Sequence, residues 1–222
     1  MKRIVLDTDV VVAGMRSPRG TSAALLLAAD ERAVTLLASL PLAMEYEAVC
    51  MRPEHRRAAD LTREEAKVFV GAVLALVEPV EIYFLWRPQL RDPDDEMVLE
   101  AAINGRADAI VTFNRKDYGD AATRFGIEVL PPCSCNQEDT RMKSVTSYPL
   151  RLPHSLKAAV ARIAKEDGTS INQFVVTAVA EKIAALETAS FFAERRQRAD
   201  LVAFRKLMQR KGGEPPRRRD EV

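Results

Sequence analysis

The stretch Ile4-Val5-Leu6-Asp7-Thr8-Asp9 decides the fold that the sequence predicts. Three consecutive apolar residues are typical of a strand that is buried on both faces, and a carboxylate follows them at once. A similar apolar stretch, Ala109-Ile110-Val111-Thr112, comes just before Asn114 and Asp117. Because parallel α/β folds keep their sites at the carboxyl ends of the strands, we expect these polar side chains to converge at one edge of a sheet.

Strands and helices alternate in the predicted order of elements between residues 3 and 130. The predicted strands cover residues 3–7, 33–38, 80–84, 108–112 and 127–130, and the predicted helices cover about 20–31, 41–50, 62–77, 95–105 and 116–125. No element is predicted for residues 8–19. The alternation predicts an α/β fold with a parallel sheet that is flanked by helices on both faces.

Four acidic residues are spread over these alternating elements, and they are Asp7, Glu45, Asp95 and Asp117. Carboxylates that converge raise each other's pKa unless a cation neutralises them, and hard divalent metals prefer oxygen ligands. With no nucleophile motif nearby, carboxylate-bound metal indicates phosphodiester hydrolysis. At 29% charged residues, each acid taken alone fits a helix cap or a solvated side chain equally well, so their shared context carries the prediction.

Residues 1–131 resemble a PIN-domain ribonuclease of the VapC-like subgroup, the usual toxin of bacterial toxin–antitoxin pairs. The resemblance implies cleavage of single-stranded RNA with Mg²⁺ or Mn²⁺, with the metal held by Asp7, Glu45 and Asp95, and with Asn114 and Asp117 as further catalytic residues. The matching stretches, in the family's order, are Leu6-Asp7-Thr8-Asp9-Val10, Glu45-Tyr46 with Arg52-Pro53, Asp92-Pro93-Asp94-Asp95, and Ile110-Val111-Thr112-Phe113-Asn114.

Asn114 is the point at which the chain departs from the usual pattern, because the family often has Asp there. A subset of the family resembles this chain in having Asn followed three residues later by Asp, so Asp117 is the expected replacement. The alternative that Asn114 favours is a DNA-binding repressor whose nuclease half is an inert scaffold.

Composition predicts a soluble, cytoplasmic protein with one sizeable core and a smaller second unit. The chain has 222 residues and 47% apolar content, with no apolar run of the roughly 18 residues that a membrane span needs. Cys50, Cys133 and Cys135 form neither a disulfide framework nor the spacing of a zinc site.

Charge divides the chain into an acidic and a basic part. Residues 1–141 carry 17 Lys and Arg against 23 Asp and Glu, whereas residues 142–222 carry 16 against 9. The basic part therefore binds polyanions, docks on the acidic part, or does both. The sequence divides into a nuclease domain at 1–131, a linker at 132–143, a small domain at 144–186 and a C-terminal extension at 187–222.

The small domain shows one extended segment followed by two amphipathic helices, which Gly168 separates. It resembles a ribbon-helix-helix DNA-binding domain of the Arc and HicB-like antitoxin type. The resemblance implies a homodimer or higher oligomer on operator DNA, with Ser147, Pro149 and Arg151 reading bases. Ser170 and Asn172 would contact phosphate at a helix N-terminus, or would only cap that helix.

The C-terminal extension mixes apolar residues with arginines, a pattern that predicts a helix in need of a partner surface. The resemblance to antitoxins implies that it wraps the ribonuclease, in cis or in trans, with Phe191 and Phe192 as anchors. Arg195, Arg196 and Arg198 are then the candidates to occupy the acidic site. The alternative is a solvated helix. Residues 212–219 are expected to form a mobile basic tail.

Overall fold

A computed structural model describes residues 1–83, 85, 87–134, 188–216 and 218–220 of the chain. Met1–Gln137 and Thr188–Val222 belong to one compact unit. The predicted ribbon-helix-helix domain at 144–186 lies outside the described residues.

Five parallel strands form one sheet with the order β3-β2-β1-β4-β5. The strands are β1 (Lys2–Leu6), β2 (Val34–Ser39), β3 (Val77–Val80), β4 (Ala109–Val111) and β5 (Glu128–Leu130). The central strand β1 buries Ile4, Val5 and Leu6 in succession, as a strand covered on both faces must. The predicted α/β fold with a parallel sheet flanked by helices is therefore confirmed.

Helices connect the strands and cover the sheet. They are α1 (Thr8–Arg16), α2 (Thr21–Asp30), α3 (Leu40–Cys50), α4 (Pro53–Ala58), α5 (Arg63–Leu76), α6 (Glu96–Asn104), α7 (Arg115–Tyr118) and α8 (Ala121–Arg124), with a 3₁₀ turn at Pro132–Ser134. In the C-terminal part, residues 188–198 are helical and are called α9, and Leu201–Met208 form α10. No helix among the described residues is long and apolar enough to cross a membrane.

Several elements differ from the prediction: α1 and α4 were not predicted, β3 is shifted, and the predicted helix at 116–125 is divided into α7 and α8. Two of these differences have a clear local cause. Residues 8–16 form α1 although β-branched Val10, Val11 and Val12 are poor helix formers, because that helix buries all three valines. The third strand covers Val77–Val80 rather than 80–84, and it includes Pro79. Proline is tolerated there because β3 is the edge strand of the sheet.

The C-terminal part contributes to the hydrophobic core of the unit that residues 1–134 form, which the sequence predicts to be a nuclease and which is called the nuclease unit below. Phe192, Phe204 and Met208 are at most 3% exposed and pack with the core of residues 1–130. The Phe204 ring lies against Phe69 of α5, with 5.8 Å between the ring centroids. The C-terminal helices α9 and α10 therefore share one hydrophobic core with residues 1–130, although they are far apart from them in sequence.

Residues 212–220 are also packed on the nuclease unit where the structure describes them, so the predicted mobile tail is wrong for these residues. Glu214 pairs with Arg16, and its backbone N–H donates to the Arg16 carbonyl over 3.1 Å. Asp220 is 1% exposed and accepts hydrogen bonds at the start of α2. These polar contacts hold a segment whose composition alone indicates a solvated tail.

Candidate active site

The candidate site lies at the point in the sheet where the order of the strands along the chain reverses. Successive strands are added on one side of β1 as β2 and β3, and on its other side as β4 and β5. Leu6 of β1 pairs with Val111 of β4, and the Asp7 N–H donates to the Val111 carbonyl over 2.9 Å. The first residues after both strands, Asp7 and Thr112, are thus neighbours at the switch point where such folds bind ligands.

Asp7 is the most enclosed acid of the site, at 7% exposure. Its Oδ2 accepts a hydrogen bond of 2.7 Å from the Thr112 hydroxyl and one of 3.0 Å from the Tyr118 hydroxyl. Burial raises the pKa of Asp7 above its ordinary value, and these two hydrogen bonds oppose that rise. The Tyr118 hydroxyl stays a proton donor because burial and the Asp7 charge raise its own pKa.

Asp9 stands two residues further, in the first turn of α1. Its Oδ2 accepts the backbone N–H of Phe113 over 3.3 Å, whereas its buried Oδ1 has no hydrogen-bond partner among the described residues. Burial, followed by the charge of Asp7, raises the pKa of Asp9 to about 7. A buried carboxylate oxygen without a hydrogen-bond donor is stabilised by a cation and destabilised by another carboxylate nearby.

Glu45 and Asp95 reach the same region from α3 and from the start of α6. The Tyr46 hydroxyl donates to the Leu6 carbonyl, which fixes α3 against the end of β1. Burial raises the pKa of Glu45, and the Asp7 and Asp94 charges raise it further. Asp95 precedes α6, and burial followed by the Asp7 charge raises its pKa to about 7.

Asn114 and Asp117 occupy the rim of the site on α7. Asn114 is the N-cap residue of that helix, and its N–H donates to the Thr112 hydroxyl over 2.9 Å. Asp117 is exposed, and its charge contributes to the raised pKa of Asp95. The structure therefore brings together all five acids and amides that the sequence nominates: Asp7, Glu45, Asp95, Asn114 and Asp117.

The donor set suits Mg²⁺ or Mn²⁺ by its chemistry, since every candidate ligand is a hard oxygen and Asp9 Oδ1 is buried with no donor in the described part. As they stand, no three His, Cys, Asp or Glu side chains of the described ranges form a group that would hold a metal. Like charges repel at short distance, so metal binding requires side-chain movement that draws the carboxylates together.

Three residues of the site were not singled out by the sequence, namely Asp9, Thr112 and Tyr118. Asp9 has a detectable signal, because it lies two residues after Asp7, which ends the predicted strand. Thr112 likewise ends the predicted strand at 108–112. Tyr118 has no comparable signal, since its contact with Asp7 depends on how the short helix α7 is placed.

The contacts of the three arginines predicted to occupy the site lie elsewhere, which corrects that prediction. Arg195 pairs with Glu47 over 2.8 Å and stacks on the Phe191 ring. Arg196 donates to the carbonyls of Ala75 and Val77 at the end of α5, over 3.4 and 3.2 Å. Arg198 faces Glu194 of its own helix at 3.7 Å. Phe192 of the same helix is buried, and the described partners of Arg195 and Arg196 are on α3 and at the end of α5 rather than among the site carboxylates.

A later arginine does reach the site rim. The Arg219 Nη1 donates to the Phe113 carbonyl over 3.0 Å, and the Phe113 N–H in turn donates to Asp9. Asp220, which follows at once, is anchored on α2 and so fixes this position. The predicted DNA-contacting residues Ser147, Pro149, Arg151, Ser170 and Asn172 lie outside the described residues.

Comparison with known families agrees with this geometry. The family model described as PIN domain matches residues 3–116, and the chain therefore belongs to the PIN-domain family. PIN domains are generally metal-dependent nucleases, which supports a nuclease activity at that coarse level. The model of the HicB family matches residues 136–179, so the chain combines two modules in an arrangement like that of toxin–antitoxin pairs. No curated protein and no solved structure matches the chain.

Proposed function

We propose that this chain is a metal-dependent endoribonuclease of the VapC-like toxin type, joined to a ribbon-helix-helix antitoxin. The observation that carries the nuclease proposal is the set of converging carboxylates at the β1–β4 switch point, where Asp9 and Asp95 have pKa values of about 7. Burial, followed by the charge of Asp7, raises both pKa values, and acids in such an environment are typical of a site that receives a cation.

Each site residue then has a proposed task. Asp7, Glu45 and Asp95 would hold Mg²⁺ or Mn²⁺, which when bound supplies a lowered water pKa and charge stabilisation at the phosphate. Asp7 is oriented by Thr112 and Tyr118. Asn114 and Asp117 lie on the rim, where they would orient the scissile phosphate or the attacking water. The raised pKa values mean that the carboxyls must lose protons before metal binds.

The test is cleavage of single-stranded RNA by the full chain with Mn²⁺, compared with single-stranded DNA of the same sequence. We expect Asp7→Asn and Asp95→Asn to lower the RNA cleavage rate by more than roughly 100-fold, since a direct ligand matters more than its outer partners. The matched control is Asp120→Asn, an exposed acid at the start of α8. Lack of cleavage by a folded, Mn²⁺-loaded chain across varied RNAs would overturn the nuclease proposal and favour the inert scaffold that Asn114 suggests.

The HicB-family part is proposed to bind operator DNA as a dimer for autoregulation, with Ser147, Pro149 and Arg151 toward the bases and Ser170 and Asn172 toward phosphate. The match over residues 136–179 and the basic charge of residues 142–222 support this proposal. We expect Arg151→Ala to cost about 1–3 kcal/mol of binding free energy at the preferred operator and little on random DNA. Unchanged operator selectivity would contradict this role of Arg151.

The antitoxin-like extension is further proposed to hold the nuclease at low activity within one chain. Its support is that α9, α10 and residues 212–220 pack in the same compact unit as residues 1–134. Arg219, beside Phe113, replaces Arg195, Arg196 and Arg198 as the residue proposed to act at the site. Deleting residues 187–222 is a poor test of inhibition, because it removes Phe192, Phe204 and Met208 from the core.

A further inference from the structure

Two hydroxyl groups converge on one oxygen of Asp7. Thr112 directly follows β4, and Tyr118 is the last residue of α7, so the two donors are positioned by different elements. Their hydrogen bonds to Asp7 Oδ2 measure 2.7 and 3.0 Å. Two donors on the same oxygen restrict rotation of the carboxylate about its Cβ–Cγ bond, because any rotation breaks both bonds at once.

The Tyr118 hydroxyl is not needed to fill space. Its side chain is 1% exposed, and a phenylalanine ring would occupy nearly the same volume without burying a polar group. A buried hydroxyl costs free energy unless it is hydrogen-bonded, and the partner that Tyr118 uses is the carboxylate of Asp7. The hydroxyl therefore serves the orientation of Asp7.

We infer that Tyr118 is a positioning residue, which orients the Asp7 carboxylate for a divalent cation in cooperation with Thr112. The inference rests on the proposed function, because it assigns to Asp7 the task of binding the metal. Outer partners that hydrogen-bond a ligand fix its orientation, and their loss typically costs 10–100-fold in metal affinity. Tyr118 itself touches neither metal nor substrate in this assignment.

The chain offers a control in Tyr83. Its hydroxyl also donates to a carboxylate, that of Glu81. Tyr83 is 65% exposed, and neither Tyr83 nor Glu81 belongs to the candidate site. Tyr83→Phe and Tyr118→Phe thus remove the same atom from a hydrogen bond to a carboxylate, and only the second change removes a hydrogen bond to Asp7.

The experiment measures Mn²⁺ binding to the full chain by titration calorimetry, without RNA and at fixed pH. We expect Tyr118→Phe to weaken Mn²⁺ binding about tenfold or more, and Tyr83→Phe to change it by less than about twofold. In RNA cleavage assays, Tyr118→Phe should raise the Mn²⁺ concentration for half-maximal rate more than it lowers the rate at saturating Mn²⁺. Thermal unfolding shows whether each variant is folded.

Thr112 keeps the inference testable if Tyr118→Phe fails to fold. Thr112→Ser retains the hydroxyl and should bind Mn²⁺ as the original chain does, whereas Thr112→Val removes it and should bind more weakly. Equal Mn²⁺ affinity in the original chain, Tyr118→Phe and Thr112→Val would overturn this inference alone. If the original chain does not bind Mn²⁺, or if it binds Mn²⁺ no more tightly than Asp7→Asn does, the proposed function is overturned and this inference with it.

Discussion

The Asp220 carboxylate accepts the backbone N–H of Ser22 over 2.7 Å, so a residue 198 positions away caps the first turn of α2. The same Oδ1 accepts the Thr21 hydroxyl over 3.0 Å and the Ser22 hydroxyl. The N-cap residue of α2 is Gly20, which has no side chain that could do this. Asp220 therefore stabilises α2 as an ordinary N-cap carboxylate would, but from the C-terminal segment.

Removing that carboxylate should destabilise the nuclease unit. We expect Asp220→Ala to lower the free energy of unfolding by roughly 1–3 kcal/mol, since it leaves buried donors of Thr21 and Ser22 without their acceptor. Urea unfolding of the full chain, followed by circular dichroism, measures the change. The exposed neighbour Arg218→Ala is the control and should be neutral within about 0.5 kcal/mol. Equal unfolding midpoints for the two variants would contradict the capping role.

A side chain at Gly20 should have a similar effect. A Cβ atom added there would collide with the Asp220 carboxylate. Gly20→Ala is therefore expected to displace Asp220 and to lower the melting temperature of the full chain. In the Asp220→Ala background the same change should cost less, because the collision is gone. Additive effects in this double-mutant cycle would show that the two residues are independent.

The Phe204–Phe69 contact predicts that the C-terminal segment is required for a stable nuclease unit. Phe204→Ala opens a cavity beside Phe69 and should lower the free energy of unfolding by about 3–5 kcal/mol. Val202 lies on the same helix and is 61% exposed, so Val202→Ala serves as the control. A single shared unfolding transition that moves with Phe204→Ala is the expected result. If the nuclease part unfolds at the same midpoint with and without Phe204→Ala, that result contradicts this prediction.

The site carboxyls should make stability depend on pH when metal is removed. Asp9 and Asp95 have pKa values of about 7 in the folded chain, against roughly 3.9 for an unfolded aspartate. Raised pKa values contribute stability that is fully present below about pH 4 and is lost as pH rises through 7. In EDTA, Asp95→Asn should therefore melt above the original chain at pH 8, and this difference should shrink toward pH 5.

Melting curves at several pH values test this, with Asp120→Asn as the control. A difference between Asp95→Asn and the original chain that stays constant from pH 5 to pH 8 would contradict the assignment. Mn²⁺ binding should show the opposite trend, because the same carboxyls must be deprotonated to bind metal and proton competition weakens as pH rises.

Arg219 offers a direct test of whether the C-terminal segment inhibits the nuclease activity. Its guanidinium donates to the carbonyl of Phe113, and the N–H of the same Phe113 donates to Asp9. We expect Arg219→Ala to raise the rate of RNA cleavage by the full chain, because a cation that competes with substrate and metal is removed. Arg198→Ala is the control, since the ion pair of this exposed arginine within the described part of the chain is with Glu194 of its own helix. Equal or lower cleavage by Arg219→Ala would contradict a restraining role.

The sequence predicted the centre of the fold well, because Ile4-Val5-Leu6 and Ala109-Ile110-Val111 are buried runs whose meaning does not depend on distant contacts. It was less informative where tertiary packing overrides local preference. The valines of α1 favour a strand on their own, and Pro79 argues against a strand unless the edge position of β3 is known.

The site residues also differ in whether local sequence or tertiary packing determines their position. Asp7 is predictable because it directly follows a strand, whereas the Tyr118 hydroxyl reaches it only through the placement of a four-residue helix. The arginines of α9 were misassigned because charge complementarity alone does not show which face of a helix is buried. Burial of Phe192 decides that face, and it directs Arg195 to Glu47.

The capping of α2 by Asp220 has a consequence for synthesis of the chain. Thr21 and Asp220 are 199 positions apart, and the stretch that matches the HicB family lies between them. At roughly 5–20 residues per second, a ribosome needs on the order of 10–40 s to pass from one to the other. Through that interval the nuclease unit has neither the cap nor the Phe204 packing of its finished form. Translation order alone therefore ensures that the HicB-family stretch has been made before the nuclease unit is complete.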